Sequence, residues 1–488
     1  MTRKSNKRSS SMLAALGMQL VSKYSNVVVQ LVVTMVLARL LTPEEFGTVA
    51  IATVFTSFFS ILADVGISTA IIQYKELTKR DCDALFFFCL LLGIGLAGLF
   101  CLVSLPISLI YGDSRLVPLC CLASLSVLFN SANMAPNGVL LREHRFAAVS
   151  LRLVVASVAS GALAIGLAIA GFGYYALVWQ TVASSAVILV WNWIATGLKL
   201  SNPHFVAPLK VIWRYSIYQA GFSTVNYFAR NLDNLLVGGF MGFAQLGYYD
   251  KAYKLMGYPI NYLTGIFSDV LQPYLSVYQD DKKKLYDSWL GICRVLALVG
   301  MLVAAISVCF PREIVLLMYG DQWASAVPVV ATLGMSVGIQ MVNSTSGAIF
   351  QSAGRTDALF NSGMICTIIS LAAILIGIAT GSIAILGLCV SLAYVAHLIV
   401  TSRLLVRGVL GFSSLSFLRS FLPSTLASIG AMAAAYFADL LIASYGTLLC
   451  LLIRLAMCVG VYSLIEWVTG EWRTILSFRD MKRMGVEE

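Results

Sequence analysis

The chain has 488 residues, of which 59% are hydrophobic and only 11% charged, and its mean hydropathy is +0.86. Soluble domains carry about 25% charged residues, so a soluble globular fold is excluded and lipid is the solvent for most of the surface. The formal net charge of +10 is spread over tails and loops, which sets nucleic acid aside as a partner and ties the charge to membrane topology.

Residues 1–23 form a basic tail that carries Arg3, Lys4, Lys7, Arg8 and Lys23. The apolar run from Val27 continues into further spans with no small-residue cleavage site, so the tail reads as a retained cytoplasmic segment and not as a signal peptide. A spanning helix needs roughly 20 apolar residues, and the apolar stretches are too long and continuous for the alternating strands of a barrel. The fold class is therefore all-α, a polytopic membrane protein of about 14 transmembrane helices. The spans are expected near 24–40, 48–72, 84–110, 117–140, 147–170, 174–195 and 213–238, then 246–276, 288–310, 325–351, 358–379, 382–405, 418–438 and 441–467.

The loops support this count. With the N-terminus cytoplasmic, one side collects Lys75, Lys79 and Arg80; Arg142, Arg145 and Arg152; Lys282, Lys283, Lys284 and Arg294; and the basic C-terminal tail. The loops on the other side hold only Arg39, Arg115 and Arg312. This is the positive-inside pattern, and it places both termini in the cytoplasm.

The second half repeats the first. Leu40–Gly47 aligns with Phe240–Gly247 at a constant offset, and both copies turn sharply between two apolar runs. Tyr111-Gly112-Asp113 recurs as Tyr319-Gly320-Asp321, Pro118 as Pro328, Gly138 as Gly347 and Arg145 as Arg355. An even number of spans per unit gives two parallel repeats, a known transporter plan. The expected organisation is a six-helix lobe at 24–198, a second at 199–410, two additional helices at 411–467 and a cytoplasmic tail at 468–488.

Soluble chemistry is missing. The eleven cysteines lie mostly in apolar runs without a CxxC pair and read as small membrane hydrophobes. His144, His204 and His397 are scattered, and neither a phosphate-binding GxxxxGK[ST] loop nor GxSxG or HExxH occurs. A glycan polymerase or ligase would need a sizeable outer loop, and the outer loops here are short. A secondary transporter is expected, with no catalytic residue, metal or cofactor beyond a coupling ion.

Charged residues in spans then carry the argument, because each must pair, snorkel or face a cavity. Asn226, Arg230 and Asp233 share one face of the seventh span, either as an Arg–Asp packing pair or as the lining of an anion's route. Asp250, Lys251 and Lys254 open the eighth span, either snorkelling to the interface or drawing phosphate. Asp64 is solitary in the second span, which suits proton or sodium coupling or a structural partner such as Arg39 or Arg230.

The stretches LARLLTPEEFGTVAIATVF (37–55), DVGISTAIIQ (64–73), NYFARNLDNLLVGGFMGFAQLGYYDKAYKL (226–255) and LLMYGDQWASAVPVVATL (316–333) resemble the polysaccharide exporters of the bacterial inner membrane. These belong to the multidrug/oligosaccharidyl-lipid/polysaccharide superfamily, and the wording is similar to its colanic-acid-type exopolysaccharide branch. The resemblance covers about the first 410 residues. It implies a flippase for undecaprenyl-pyrophosphate-linked oligosaccharide repeat units, working by alternating access of two lobes on a proton or sodium gradient. It also implies Arg230, Lys251, Lys254 and Arg39 as pyrophosphate or acidic-sugar contacts beside Asn226, with Asp64 and Asp233 for ion coupling. A polymerase and a chain-length regulator would be pathway partners. Alternatives are a cation-coupled drug antiporter, which should show acidic and aromatic cavity residues, a peptidoglycan precursor flippase, and a non-transporting scaffold of a glycan assembly complex.

Overall fold

The computed structural model describes residues 2–63, 66–74, 76–200, 227, 231–279, 281–442 and 447–471, with side chains except those of 2–20, 146, 266–274, 442 and 447–449. Asp64, Asn226 and Arg230 lie outside the described residues. The chain forms two compact units, Met1–Gly247 and Tyr248–Glu488.

The first unit contains α1 (Thr2–Leu40), α2 (Pro43–Ala63), α3 (Ile67–Gln73), α4 (Lys79–Tyr111), α5 (Leu116–Arg142), α6 (Phe146–Ile169) and α7 (Tyr175–Thr196), with α8 over residues 231–241. Helix α9 (Phe243–Ser276) crosses the boundary. The second unit continues with α10 (Lys282–Cys309), α11 (Pro311–Met318), a 3-10 turn (Asp321–Ala326), α12 (Val327–Gly334), α13 (Val337–Ser344) and α14 (Ser346–Ser352). It ends with α15 (Thr356–Ala379), α16 (Ile383–Thr401) running into a π-helical segment (Ser402–Leu410), α17 (Ser414–Arg419), α18 (Leu422–Ile442) and α19 (Thr447–Thr469). No strand occurs among the described residues.

Eleven of the described helices are long and apolar enough to cross a membrane, or twelve if Asp321–Gly334 and Val337–Ser352, bent by 50°, form one broken span. Two of the expected spans account for the difference. Residues 213–238 fall largely outside the described residues, and 246–276 forms as α9, whose early turns carry Asp250, Lys251 and Lys254. The basic tail is continuous with the first span, since α1 begins at Thr2.

Two expected helices are interrupted. The second span ends at Ala63 and restarts at Ile67 as α3, with Gly66 in the left-handed region at φ 70°. The stretch 325–351 splits into α12, α13 and α14, and hydroxyls near the breaks bond main-chain carbonyls. Ser336 Oγ donates to the Leu333 carbonyl at 2.8 Å, Thr345 Oγ1 to Val342 at 3.1 Å and Ser346 Oγ to Asn343 at 2.7 Å.

The repeat is a repeat of structure. Gly112 and Gly320 both follow a tyrosine with positive φ, at 67° and 94°. Pro118 and Pro328 lie in the first turns of α5 and α12, and Arg145 and Arg355 stand just before α6 and α15. In the first unit α4 packs on α5, α5 on α7, and α6 on α7; in the second α10 packs on α12 and α13, α12 on α16, and α15 on α16.

The Leu40–Gly47 copies also start helices alike, at Pro43 and Phe243. In the first copy the Thr42 main-chain N–H donates to Glu45 Oε2 at 2.7 Å and Glu45 N–H to Thr42 Oγ1 at 3.3 Å, a reciprocal cap with proline at the first helical position. Within the first unit these two helix starts approach backbone to backbone. A Cβ on Gly47 would land on the Phe243 carbonyl, and one on Gly247 on the Pro43 carbonyl. Only glycine permits such an approach.

Gly47→Ala should therefore cost about 1–3 kcal/mol, because main chain and not a flexible side chain must move. In detergent its thermal unfolding midpoint should fall clearly below that of Gly166→Ala, whose Cβ meets nothing within 4 Å. Equal midpoints would show that the helix starts separate at little cost.

Candidate functional site

In the second unit the candidate residues sit on α9. Lys254 follows Asp250 by one turn, and its Nζ lies 2.8 Å from Asp250 Oδ2. The carboxylate is buried with 7% of its side chain exposed, whereas the lysine side chain keeps 53% of its area accessible. The charge of Lys254 is thus shared with a carboxylate at its foot. Lys251 is buried, so the two lysines occupy different environments although they are three residues apart.

Aromatic contacts fix the rotation of α9. Tyr249 stacks on Tyr253, and the Tyr253 hydroxyl lies 3.1 Å from the Tyr394 hydroxyl on α16. Tyr394 meets His397 edge-on, and His397 Nε2 lies 2.9 Å from the Cys366 carbonyl and 3.2 Å from Ser370 Oγ on α15. The Tyr319 hydroxyl, from the repeated Tyr-Gly-Asp turn, donates to the Lys251 carbonyl at 3.4 Å. The tyrosine pair thus joins α9 to α16, and His397 joins α16 to α15.

In the first unit Asp233 is buried on α8, and its Oδ1 accepts the Asn234 main-chain N–H at 2.8 Å. Arg39 is exposed at the end of α1. Of the expected residues, the structure brings Lys254 onto Asp250.

Outside the spans, Arg115 joins the first turn of α2 to the turn between α4 and α5. Its Nη2 lies 2.8 Å from both Glu44 Oε1 and Asp113 Oδ2. Burial pushes the Asp113 carboxyl up, but hydrogen bonds from Arg115 and its charge outweigh this and hold it below its usual range.

One buried cation is not where the loop pattern puts it. Arg152 counts among the cytoplasmic loop charges by sequence, yet on α6 it is only 6% exposed. Its Nη2 donates to Asn137 Oδ1 at 2.8 Å, and Asn137 Nδ2 donates to Ser68 Oγ at 3.2 Å. Its Nε and Nη1 have no hydrogen-bond partner among the described residues. The cue was its place inside the apolar run VSLRLVV; snorkelling is the default for an arginine near a span end, and here it does not occur. A buried guanidinium with spare donors is chemically suited to an anion.

Among the described residues no group of three or more His, Cys, Asp and Glu could hold a metal ion.

Comparison with known proteins places this geometry in context. The family described as "Polysaccharide biosynthesis protein" matches residues 36–328. The chain is 24% identical to the succinoglycan biosynthesis transport protein ExoT of Rhizobium meliloti (strain 1021), over 77% of this chain and 76% of that one. It is 24% identical to the lipopolysaccharide biosynthesis protein WzxC of Escherichia coli (strain K12), over 78% and 77%. Its fold is similar to that of the lipid II flippase MurJ in an inward closed conformation, with a TM-score of 0.72 at 12% identity over 93% of this chain and 99% of that one.

A double-mutant cycle on Asp250→Asn and Lys254→Gln should give a coupling of about 0.2–1 kcal/mol that shrinks as salt rises, because one partner is half in solvent. A salt-independent coupling well above that would show that Lys254 is enclosed in the working protein.

Proposed function

Because the chain belongs to the polysaccharide biosynthesis protein family, we propose that it flips undecaprenyl-pyrophosphate-linked oligosaccharide repeat units from the cytoplasmic to the outer leaflet of a bacterial inner membrane, for exopolysaccharide or lipopolysaccharide synthesis. The observation that carries the reading is a buried cation, Lys251, on a helix of a many-span fold similar to a flippase. A charge within a span must pair, snorkel or face a cavity, and a buried lysine does not snorkel. A diphosphate headgroup needs replacement partners throughout its passage, and Lys251 and Lys254, with Arg230 and Arg39, are the side chains proposed to supply them, beside Asn226. Arg152 adds a further guanidinium with unused donors. The polyprenyl tail stays in lipid while the headgroup and sugars pass.

Two parallel repeats provide the moving parts for alternating access. We assign ion coupling to Asp233, which is buried on α8, and to Asp64, with a proton or sodium as the driving ion. Both termini are placed in the cytoplasm by the loop charges. A polymerase and a chain-length regulator acting on the same glycan are the expected neighbours in the pathway.

A strain lacking this gene should accumulate intact lipid-linked repeat units in the cytoplasmic leaflet and lose surface polymer. Normal leaflet distribution together with normal polymer would remove the proposed function. In the complemented strain Lys251→Gln should lower export at least tenfold at unchanged protein level. Loss of protein in parallel with export would assign Lys251 to packing instead.

A further inference from the structure

The first unit has a half-open cavity of about 370 Å³ between α2, α5 and α7 whose chemistry differs from that of the cationic helices. Among the described residues no Lys, Arg, Asp or Glu lines it. Its polar lining includes Thr53, Thr56, Ser60, Ser126, Asn130 and Thr181, and Val49, Ala52, Ala123 and Val178 supply apolar wall between them.

The hydrogen-bond accounting of this lining is specific. A hydroxyl has one donor and two acceptor lone pairs. Thr53 Oγ1 donates to the Val49 carbonyl at 2.8 Å, Thr56 Oγ1 to Ala52 at 2.7 Å, Ser126 Oγ to Ala123 at 2.6 Å and Thr181 Oγ1 to Val178 at 2.8 Å. Each has committed its proton to its own helix, so what remains for the cavity is lone pairs. Ser60 Oγ has no hydrogen-bond partner among the described residues, and the atom itself is buried in the wall. Among the described lining residues the wall is therefore uncharged, with threonine and serine lone pairs beside the Asn130 amide, and its complement is an uncharged ligand bearing hydroxyl groups.

An uncharged wall is a poor match for a diphosphate, whose negative charge calls for cations. It also disfavours a lone metal cation as the designed occupant. At about 30 Å³ per water the cavity holds roughly a dozen waters, far more than one ion fills, and its size lies at the lower end of the 300–1,000 Å³ typical of small-molecule sites. Sugar rings meet both demands, with hydroxyl donors at their rims and C–H faces for the apolar wall. We propose that this cavity is a glycan subsite, which receives one or two sugar rings of the substrate by accepting their hydroxyl protons. The inference rests on the lipid-linked glycan reading and adds a division of labour to it: sugars are held by neutral oxygen in the first unit, and the diphosphate by cations elsewhere.

The test uses the purified full-length protein and three probes: undecaprenyl pyrophosphate carrying the repeat unit, extracted from the producing strain; undecaprenyl pyrophosphate without sugar; and the repeat unit released by mild acid. The variant is Thr56→Val with Thr181→Val. It keeps side-chain shape and removes two acceptors whose own donors are satisfied locally, and Thr181→Val alone serves if the pair lowers the yield of folded protein. With two hydrogen bonds removed, affinity for the glycosylated lipid and for the free repeat unit should fall roughly tenfold, while affinity for the sugar-free lipid stays unchanged. Unchanged affinity for the glycosylated lipid, or an equal loss for both lipids, would overturn the subsite and leave the flippase reading standing. Binding of sodium that the variant loses, with sugar binding intact, would assign the cavity to an ion and also overturn it. If the wild type binds neither lipid, the flippase reading fails, and the free repeat unit decides the subsite: binding that the variant loses upholds it, and no binding ends it.

Discussion

Hydrocarbon tolerates no unmatched charge, and most of this molecule's polar architecture answers that constraint. Lys254 leans onto Asp250. On α19, Arg454 reaches Asp439 at 3.2 Å, Glu313 at 3.5 Å and the Cys309 carbonyl at 3.1 Å, with the Phe310 ring below it. That cluster fastens the last helices to α10 and α11 of the second unit. Matching is not complete among the described residues: Arg152 has two nitrogens without hydrogen-bond partners, Arg454 its Nε, and Ser60 its hydroxyl.

Much of this was legible in the sequence because lipid leaves little choice. Length and apolarity alone locate α4 to α7, α10, α15 and α16 to within a few residues, and the even spacing of Tyr-Gly-Asp, proline and arginine reveals the repeat before any packing is known. The interruptions were less legible. Ser336, Thr345 and Ser346 look like ordinary small residues of a span until their hydroxyls are seen on the carbonyls of Leu333, Val342 and Asn343. The Asp250–Lys254 contact follows from helical spacing, but its unequal exposure does not. Arg152 was missed for a physical reason: charge position along a chain predicts which side of the membrane a loop occupies, not which way one side chain turns.

The proposed substrate is an amphiphile of three chemistries, a polyprenyl tail, a diphosphate and a glycan. A single strongly cationic chamber would hold the diphosphate too tightly for release and would do little for neutral sugars. Scattered cations and a separate neutral cavity distribute the affinity, so that no one contact need be broken at great cost during turnover.

The meeting of Gly47 with the Phe243 carbonyl, and of Gly247 with the Pro43 carbonyl, has an evolutionary corollary. A duplicated segment here touches its own copy through the same two positions, as the halves of an isologous dimer do. Each glycine constrains the other's surroundings, so drift in one copy is felt at once in its twin. Such a contact ties the two copies of the segment to the same steric limit, since an added Cβ at either glycine meets main chain of the other copy.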